Sequence, residues 1–573
     1  MIRTLFALPL AVVLSACVSV PRPAPEPITV RIVGLNDFHG NIEPIKRPIL
    51  LEDGHGRKQE VYAGGAAWFA SAVAHLRSQS PFNMAIGAGD LISASPLASS
   101  LFLDEPTVGV MNRIHLDFTS VGNHEFDRGW KELKRIREGG CEKFTLREPC
   151  AVEPEYRGTD YPILAANVRT PDGTTLFPGY GIKRFGTGKS AVAVGVIGLT
   201  LRGTAQIVSP GGIEGLTFED EAESINALVP RVLAEGADAV VVAIHQGLVP
   251  EPGDSYTGCG AMAGDLRGIL AKLDPRIDLV ISGHTHKSYV CDFSKVDPTR
   301  RFTVTSAGYG GTMLTDIALT IDPRLNDVTA IAARNVPVQS ATPEAGEGRP
   351  AAAGIASFAP DAAVAAYVAR YTAAAAEVSN RPVGRISASA FKKKPEGSLG
   401  NLVADAQLAS SENAGAQIAF MNPGGVRTDL VAREGGVVTF GDIYAVQPFG
   451  NTLVTMTYTG AQLLQILEEQ FANMNDWNVL APSEGFTMTL DPSRPAGERV
   501  VKAALNGQPI DPAASYRVTL NNFMAAGGDG FVTAMQGTDP QVGPLDLDSM
   551  EAYFRAHPLV QIPPIGRVTM IGG

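Results

Sequence analysis

Five short β-branched runs, each broken off by carboxylate, imidazole or amide side chains, constrain this chain more than any other feature. The runs are residues 30–34, 84–86, 118–121, 240–244 and 277–281. Behind them stand Asp37-Phe38-His39, Gly89-Asp90, Gly122-Asn123-His124-Glu125, the lone His245, and Gly283-His284-Thr285-His286. Runs of this length and composition are expected as buried strands of an open α/β sheet. In that architecture polar residues at the carboxyl ends of the strands converge on one crevice. Five of the nine histidines fall in these blocks, so one shared site is predicted.

At 573 residues the chain is too long for a single core. Strand and amphipathic-helix patterns alternate from residue 28 to about 334, with helices predicted over 65–78, 107–114, 128–137 and 218–234 and strands over 191–199, 302–306 and 315–321. A Pro/Gly/Ala-rich passage, 342–358, ends that unit, and the alanine-rich stretch 361–379 reads as a helix connecting two domains. The boundaries drawn are 28–340 for the first domain, 341–381 for linker and connecting helix, and 382–573 for a mixed second domain with helices over 399–410 and 459–473. The connecting helix and its Gly/Ala-rich flank are the places where a hinge is expected. Gly-Thr-Gly-Lys-Ser at 186–190 is no phosphate-binding loop, because the leading glycine is missing and a strand follows.

Residues 1–17 read as a targeting segment: a positive start, an apolar stretch too short to span a bilayer, and Leu14-Ser15-Ala16-Cys17. That ending resembles the lipobox of bacterial lipoproteins, which implies acylation of Cys17, export, and anchoring in the cell envelope. A Pro-rich tether, 18–27, follows. The other cysteines are Cys141, Cys150, Cys259 and Cys291, an even number that favours two disulfides in an exported chain. Three pairings are open, and proximity favours Cys141–Cys150 with Cys259–Cys291. A net charge of −12 disfavours non-specific nucleic-acid binding, and nothing implies an obligate protein partner.

Cleaving a phosphate ester requires bringing water in line against an anion and stabilising the departing oxygen. Two divalent ions about 3.5–4 Å apart do both. Asp37, His39, Asp90 and His286 can serve one ion, and Asp90, Asn123, His245 and His284 the other, with Asp90 as the bridging carboxylate. Ligands of oxygen and nitrogen alone suit Zn²⁺, Mn²⁺ or Co²⁺ and similar ions. His124 follows a ligand and, when protonated, can stabilise the phosphoryl group or help the leaving group depart. Asp127, three residues on, is placed to orient that ring and raise its pKa.

Together these blocks resemble the signature of the calcineurin-like metallophosphoesterases, and the longer strings at 35–41 and 122–127 are similar to the 5′-nucleotidase family. The second half carries family marks of its own: Leu399-Gly400-Asn401-Leu402, Asn422-Pro423-Gly424-Gly425-Val426-Arg427, Pro448-Phe449-Gly450-Asn451, Asn522-Phe523 and Gly527-Gly528-Asp529-Gly530-Phe531. The resemblance implies a four-layered α/β metal domain joined by a helix to a mixed α+β nucleotide-binding domain. It also implies that Phe449 and Phe523 sandwich a nucleobase, Asp529 binds ribose, Asn422 lies near the base and Arg427 grips phosphate. Two positions depart from relatives: Lys393 stands where many have an arginine, and His286 where some have glutamine. The implied activity is hydrolysis of nucleoside 5′-monophosphates, possible di- and triphosphate or nucleotide-sugar substrates included. A 2′,3′-cyclic-nucleotide phosphodiesterase with 3′-nucleotidase activity and a catalytically silent surface nucleotide-binding protein are the alternatives.

Overall fold

The computed structural model describes residues 26–45, 48–52, 58–145, 147–208, 212–250, 262–340, 351–472 and 477–572. The expected leader with Cys17, most of the tether, and Cys259 lie outside these residues. Among the described residues no helix is long and apolar enough to cross a membrane.

Two six-stranded sheets form the centre of the first domain. One runs in the order Asp327–Pro337, Met313–Asp322, Ile28–Leu35, Asn83–Ala88, Phe118–Ser120, Ile163–Leu164. The other runs Ser288–Asp292, Thr303–Ala307, Leu279–Ser282, Ala239–His245, Val192–Thr200, Tyr180–Phe185. The strands that carry the site are parallel to their neighbours, Ile28–Leu35 to Asn83–Ala88 and Ala239–His245 to Leu279–Ser282, so their carboxyl ends point the same way within each sheet.

Alternation along these strands sorts their side chains between layers, because successive residues face opposite sides of a sheet. Ile32, Ile86, Val241 and Ile281 meet in a core between the two sheets. Val33 and Ala85 instead pack outward with Phe69, Val110 and Leu133 of the helices Ala66–Arg77, Glu105–Arg113 and Trp130–Glu138. On the far side Val240 and Val242 pack with Ile225 and Val229 of the helix Glu221–Ala234. The result is the four-layered helix–sheet–sheet–helix arrangement. Each fully buried aliphatic side chain contributes roughly 1.5–3 kcal/mol, which explains why the strands are apolar on both faces.

The helix Ala362–Ser379 starts at Asp361, whose carboxylate accepts the Val364 amide at 2.9 Å. Its apolar face, including Val364, Tyr367, Tyr371 and Ala375, is part of the first domain's outer core. Along this face the helix packs on the first domain, and it also meets the second-domain helix Phe440–Val446. Arg381 already belongs to the second domain: it binds Glu551 at 2.5 and 2.9 Å, and its carbonyl accepts the Phe440 amide. The junction narrows to Asn380.

The second domain has a five-stranded sheet, in the order Ala481–Pro482, Ile418–Met421, Ser515–Asn521, Thr452–Thr459, Thr538–Leu545, and a four-stranded sheet built around Val500–Leu505 and Phe486–Leu490. The helices Ser398–Ser410, Gly460–Glu469 and Asp546–Ala556 complete it. Gly460–Glu469 is shorter than its sequence pattern suggests and opens on a Thr459/Gln462 capping box. Cys141 and Cys150 form a disulfide. Cys291 is also disulfide-bonded.

Candidate active site

The strand ends deliver their polar blocks to one point. Asp37, His39 and His286 form one group of potential ligands, and Asp90, His245 and His284 a second, the donor atoms of each lying within 4.8 Å of one another. His39 Nε2 stands 3.2 Å from His286 Nε2, and His286 Nε2 stands 3.3 Å from Asp37 Oδ1. In the other group Asp90 Oδ2 lies 2.9 Å from His245 Nε2, and the side-chain oxygen Oδ1 of Asn123 3.1 Å from His284 Nδ1. Asp90 Oδ2 is also 3.6 Å from His39 Nε2, so this one carboxylate reaches both groups.

The backbone makes sharp turns to achieve this. Asp37, His39, Asp90, His284 and His286 all have left-handed φ values, between 45° and 71°, a region in which Asp, Asn and His are several-fold enriched among non-glycine residues. Gly89, at φ 79°, could not be anything larger: a Cβ there would lie 2.7 Å from the Gly122 amide nitrogen and from His245 Nδ1.

Whether these residues suit metal ions is decided by where the rings point. His39 Nδ1 is engaged by the Ser93 carbonyl at 2.9 Å and His245 Nδ1 by the Ala88 carbonyl at 2.8 Å. Holding the outer nitrogen fixes the tautomer and turns Nε2 inward, as metal-ligating histidines require. His245 Nε2 is buried and faces Asp90 Oδ2 at 2.9 Å, so an ion between them would be held by both. Burial first, then the neighbouring imidazole His245, hold His284 down to about 3, and burial likewise brings His286 to about 4, so both are neutral and free to ligate. Burial opposes the charge on Asp37, but hydrogen bonds with His286 and His39 hold its carboxyl well below the usual range. The arrangement fits divalent cations.

Glu125 has no role assigned by its sequence block, and the structure gives it one. Its buried carboxylate accepts the amides of Gly122 at 2.6 Å, Asp90 at 2.8 Å and Leu91 at 2.9 Å, tying two strand-end loops together. Burial, then the charge of Asp90, push it up to about 7. Nothing in the sequence marks this role, because all three donors are backbone amides.

His124 faces the same crevice. Its Nδ1 lies 2.8 Å from Asp127 Oδ2, and its amide donates to Asp90 Oδ1 at 2.8 Å. Burial works against the charged ring, but the carboxylates of Asp127 and Asp90 outweigh it and raise the pKa above the ordinary value. Two second-domain residues reach this point. Phe449 stacks on the His124 ring, and Arg427 Nη2 comes within 3.4 Å of His39 Nε2. Arg427 Nε is buried and makes no hydrogen bond.

The remaining residues sit further out. Asn422 donates to Asp529 Oδ2 at 2.7 Å and accepts from Asn521 at 2.9 Å. Phe523 is half-buried against the second-domain core, its ring over Gly528. Among the described residues no ring contact joins Phe523 to Phe449. Lys393 is exposed, and among the described residues no hydrogen bond or ion pair joins it to the rest of the site.

Residues 30–288 match the calcineurin-like phosphoesterase family and residues 374–537 the 5′-nucleotidase C-terminal domain. The chain belongs to the phosphoester hydrolase family that combines these two domains. It is similar to "Endonuclease YhcR" of Bacillus subtilis (strain 168), at 29% identity over 540 residues, which cover 93% of this chain but only 40% of that one. The chain thus spans well under two thirds of that relative's length. It is 25% identical over 582 residues to a "Probable 5'-nucleotidase" of Treponema pallidum (strain Nichols), covering 92% of this chain and 91% of the other. Among solved structures, the 5'-nucleotidase precursor from Thermus thermophilus superposes with a TM-score of 0.75 at 25% identity, over 95% of this chain and 100% of its own.

Proposed function

We propose that this protein is an exported, lipid-anchored nucleotidase that hydrolyses nucleoside 5′-monophosphates to nucleoside and inorganic phosphate, using two divalent ions. The observation that carries the reading is Arg427. A second-domain guanidinium is brought to 3.4 Å from a ring nitrogen of the metal groups with its Nε buried and unpaired. There the guanidinium faces the nitrogen that would ligate an ion. A phosphate bridging Arg427 and the metal groups would complete both, and the planar fork of arginine suits a phosphate.

Asp37, His39 and His286 would hold one ion and Asp90, Asn123, His245 and His284 the other, with Asp90 shared. Ions so held would supply positive charge on the phosphoryl oxygens and acidify a water molecule. Their identity is left to Zn²⁺, Mn²⁺, Co²⁺ or similar. His124, with Nδ1 turned to Asp127, keeps its other nitrogen free to hold a proton toward the leaving ester oxygen. Phe449 and Phe523 would present π-faces to a nucleobase, and Asp529 and Asn422 would receive the ribose and base edge. Acylation of Cys17 would fix the protein to the envelope, with the nucleotide as its only required partner.

Phosphate release from AMP, 3′-AMP, cyclic 2′,3′-AMP, ADP and UDP-glucose, with added Mn²⁺ or Zn²⁺, tests this. Preference for AMP is expected. Cleavage of p-nitrophenyl phosphate with none of the nucleotides would reject the reading, and preference for the cyclic substrate would move the protein to the phosphodiesterase branch.

A further inference from the structure

The segment that carries Phe449 is held from across the domain boundary by residues outside the metal groups. Tyr444, in the second-domain helix Phe440–Val446, is buried. Its hydroxyl lies 3.2 Å from the Pro448 carbonyl, one residue before Phe449, which it serves as donor. The same oxygen accepts from Arg147 Nη2 at 2.9 Å and contacts Ser100 Oγ, both of the first domain. A phenol has one proton to give and two lone pairs to fill. With the proton on Pro448, Arg147 and Ser100 complete it.

Ser100 is equally well used. Its Oγ takes Arg128 Nη2 at 3.0 Å and Arg147 Nη1 at 3.1 Å, leaving its own proton for Tyr444. Arg128 in turn binds the buried Asp104 at 2.5 Å. Asp104 accepts the Ser93 amide at 3.0 Å, and the Ser93 carbonyl is the one that engages His39. A continuous hydrogen-bonded path therefore runs from a metal-group histidine through Ser93, Asp104, Arg128 and Ser100 to Tyr444 and the Phe449 segment. Arg147 enters this path from the loop closed by the Cys141–Cys150 disulfide. The base of that loop is held by the buried Glu105, which accepts the Cys150 amide at 3.0 Å and Arg135 at 2.9 Å. The Val446 carbonyl, in Tyr444's helix, accepts the Arg427 amide at 2.9 Å.

We propose that Tyr444 and Arg147 are positioning residues: clasped together across the domain boundary, they set Phe449 over the metal groups and make the site selective for phosphate esters that carry a nucleoside. Neither touches the reacting atoms. Both act by fixing a residue that would touch the substrate's base. This rests on the nucleotidase reading above.

The test compares Tyr444→Phe, Arg147→Ala and Arg147→Lys with the wild type, full-length and loaded with Mn²⁺, on AMP and on p-nitrophenyl phosphate. Tyr444→Phe keeps the ring and its packing and removes only the hydroxyl. The expected result is a fall in kcat/KM for AMP of roughly tenfold, the scale of one hydrogen bond involving a charged group. Turnover of p-nitrophenyl phosphate should stay within about twofold, since that ester needs neither Phe449 nor a nucleoside pocket, while one tenfold step is the unit being read. Arg147→Lys should recover part of the loss seen in Arg147→Ala, and the Tyr444→Phe/Arg147→Ala double variant should be no worse than either single one. Equal losses on both esters, or no selective loss on AMP, overturn the positioning role while leaving the nucleotidase reading intact. A wild type that cleaves only p-nitrophenyl phosphate overturns the nucleotidase reading, and this inference with it.

Discussion

The Phe449 ring lies almost parallel to the His124 imidazole, planes 15° apart and centroids 5.7 Å apart, although the two residues come from different domains. An imidazole of the first domain and an aromatic ring of the second thus face each other directly. An aromatic face also favours a cationic ring over a neutral one, adding to the effect of Asp127 and Asp90.

His124 is expected to act on the reaction and not on the ions. His124→Ala should lower kcat by roughly 10²–10⁴-fold, the usual range for such groups. Metal content, measured by elemental analysis, should stay near that of the wild type. Loss of metal in step with activity would make His124 a ligand or a structural support.

Asp90 faces both metal groups, so Asp90→Asn should remove more than one ligand's worth of binding. Activity should collapse and occupancy fall, more than for His284→Asn at the edge of one group. The variant should keep its fold by circular dichroism, because Asn can retain the turn. Near wild-type turnover at saturating metal would rule out the shared role.

Phe523 is half-buried against its own domain's core, which leaves both packing and base contact open to experiment. Phe523→Ala should raise KM for AMP, since stacking contributes roughly 1–3 kcal/mol. Some kcat is expected to go as well, because remote binding helps to place the phosphate. p-Nitrophenyl phosphate should be affected much less. An equal loss on both substrates would mean that the ring supports the fold.

Asp546 predicts a pH dependence of stability. It is buried, its Oδ2 has no hydrogen-bond partner, and burial pushes its pKa up to about 7. In the unfolded chain an aspartate titrates at about 3.9. The folded state thus binds the proton more tightly, and stability from this group falls as pH rises from that lower value through 7. Asp546→Asn should raise Tm at pH 8, with the gain shrinking toward pH 5. A gain of the same size at both values would refute the titration.

The ligand blocks were legible in the sequence because each sits within a few residues of a β-branched run, where local pattern and chemistry coincide. The four layers were expected only from the family resemblance; period two says no more than that neighbours such as Ile32 and Val33 face opposite sides of a strand. What stayed hidden lies in contacts between distant segments. Arg147 and Tyr444 meet across 297 residues, and no periodicity encodes that meeting. Glu125 was hidden differently, since its partners are backbone amides with no sequence signature. Composition marks the connecting helix, but whether its Tyr367 and Tyr371 face solvent or a core is decided by the surface beside it.

The left-handed turns at Asp37, His39, Asp90, His284 and His286 change what a mutational scan of this site would measure. Alanine adopts that conformation with greater difficulty than asparagine or glycine. Replacing one of these residues by alanine therefore removes a ligand and also burdens the loop, and the two penalties arrive as one number. Asparagine is the better-matched control at these five positions, because it tolerates the turn while altering the donor. The difference between the two substitutions at a single position would give the conformational share by subtraction, turning an inconvenience of the backbone into a measure of how far the protein alone, before any ion binds, prepares its own ligands.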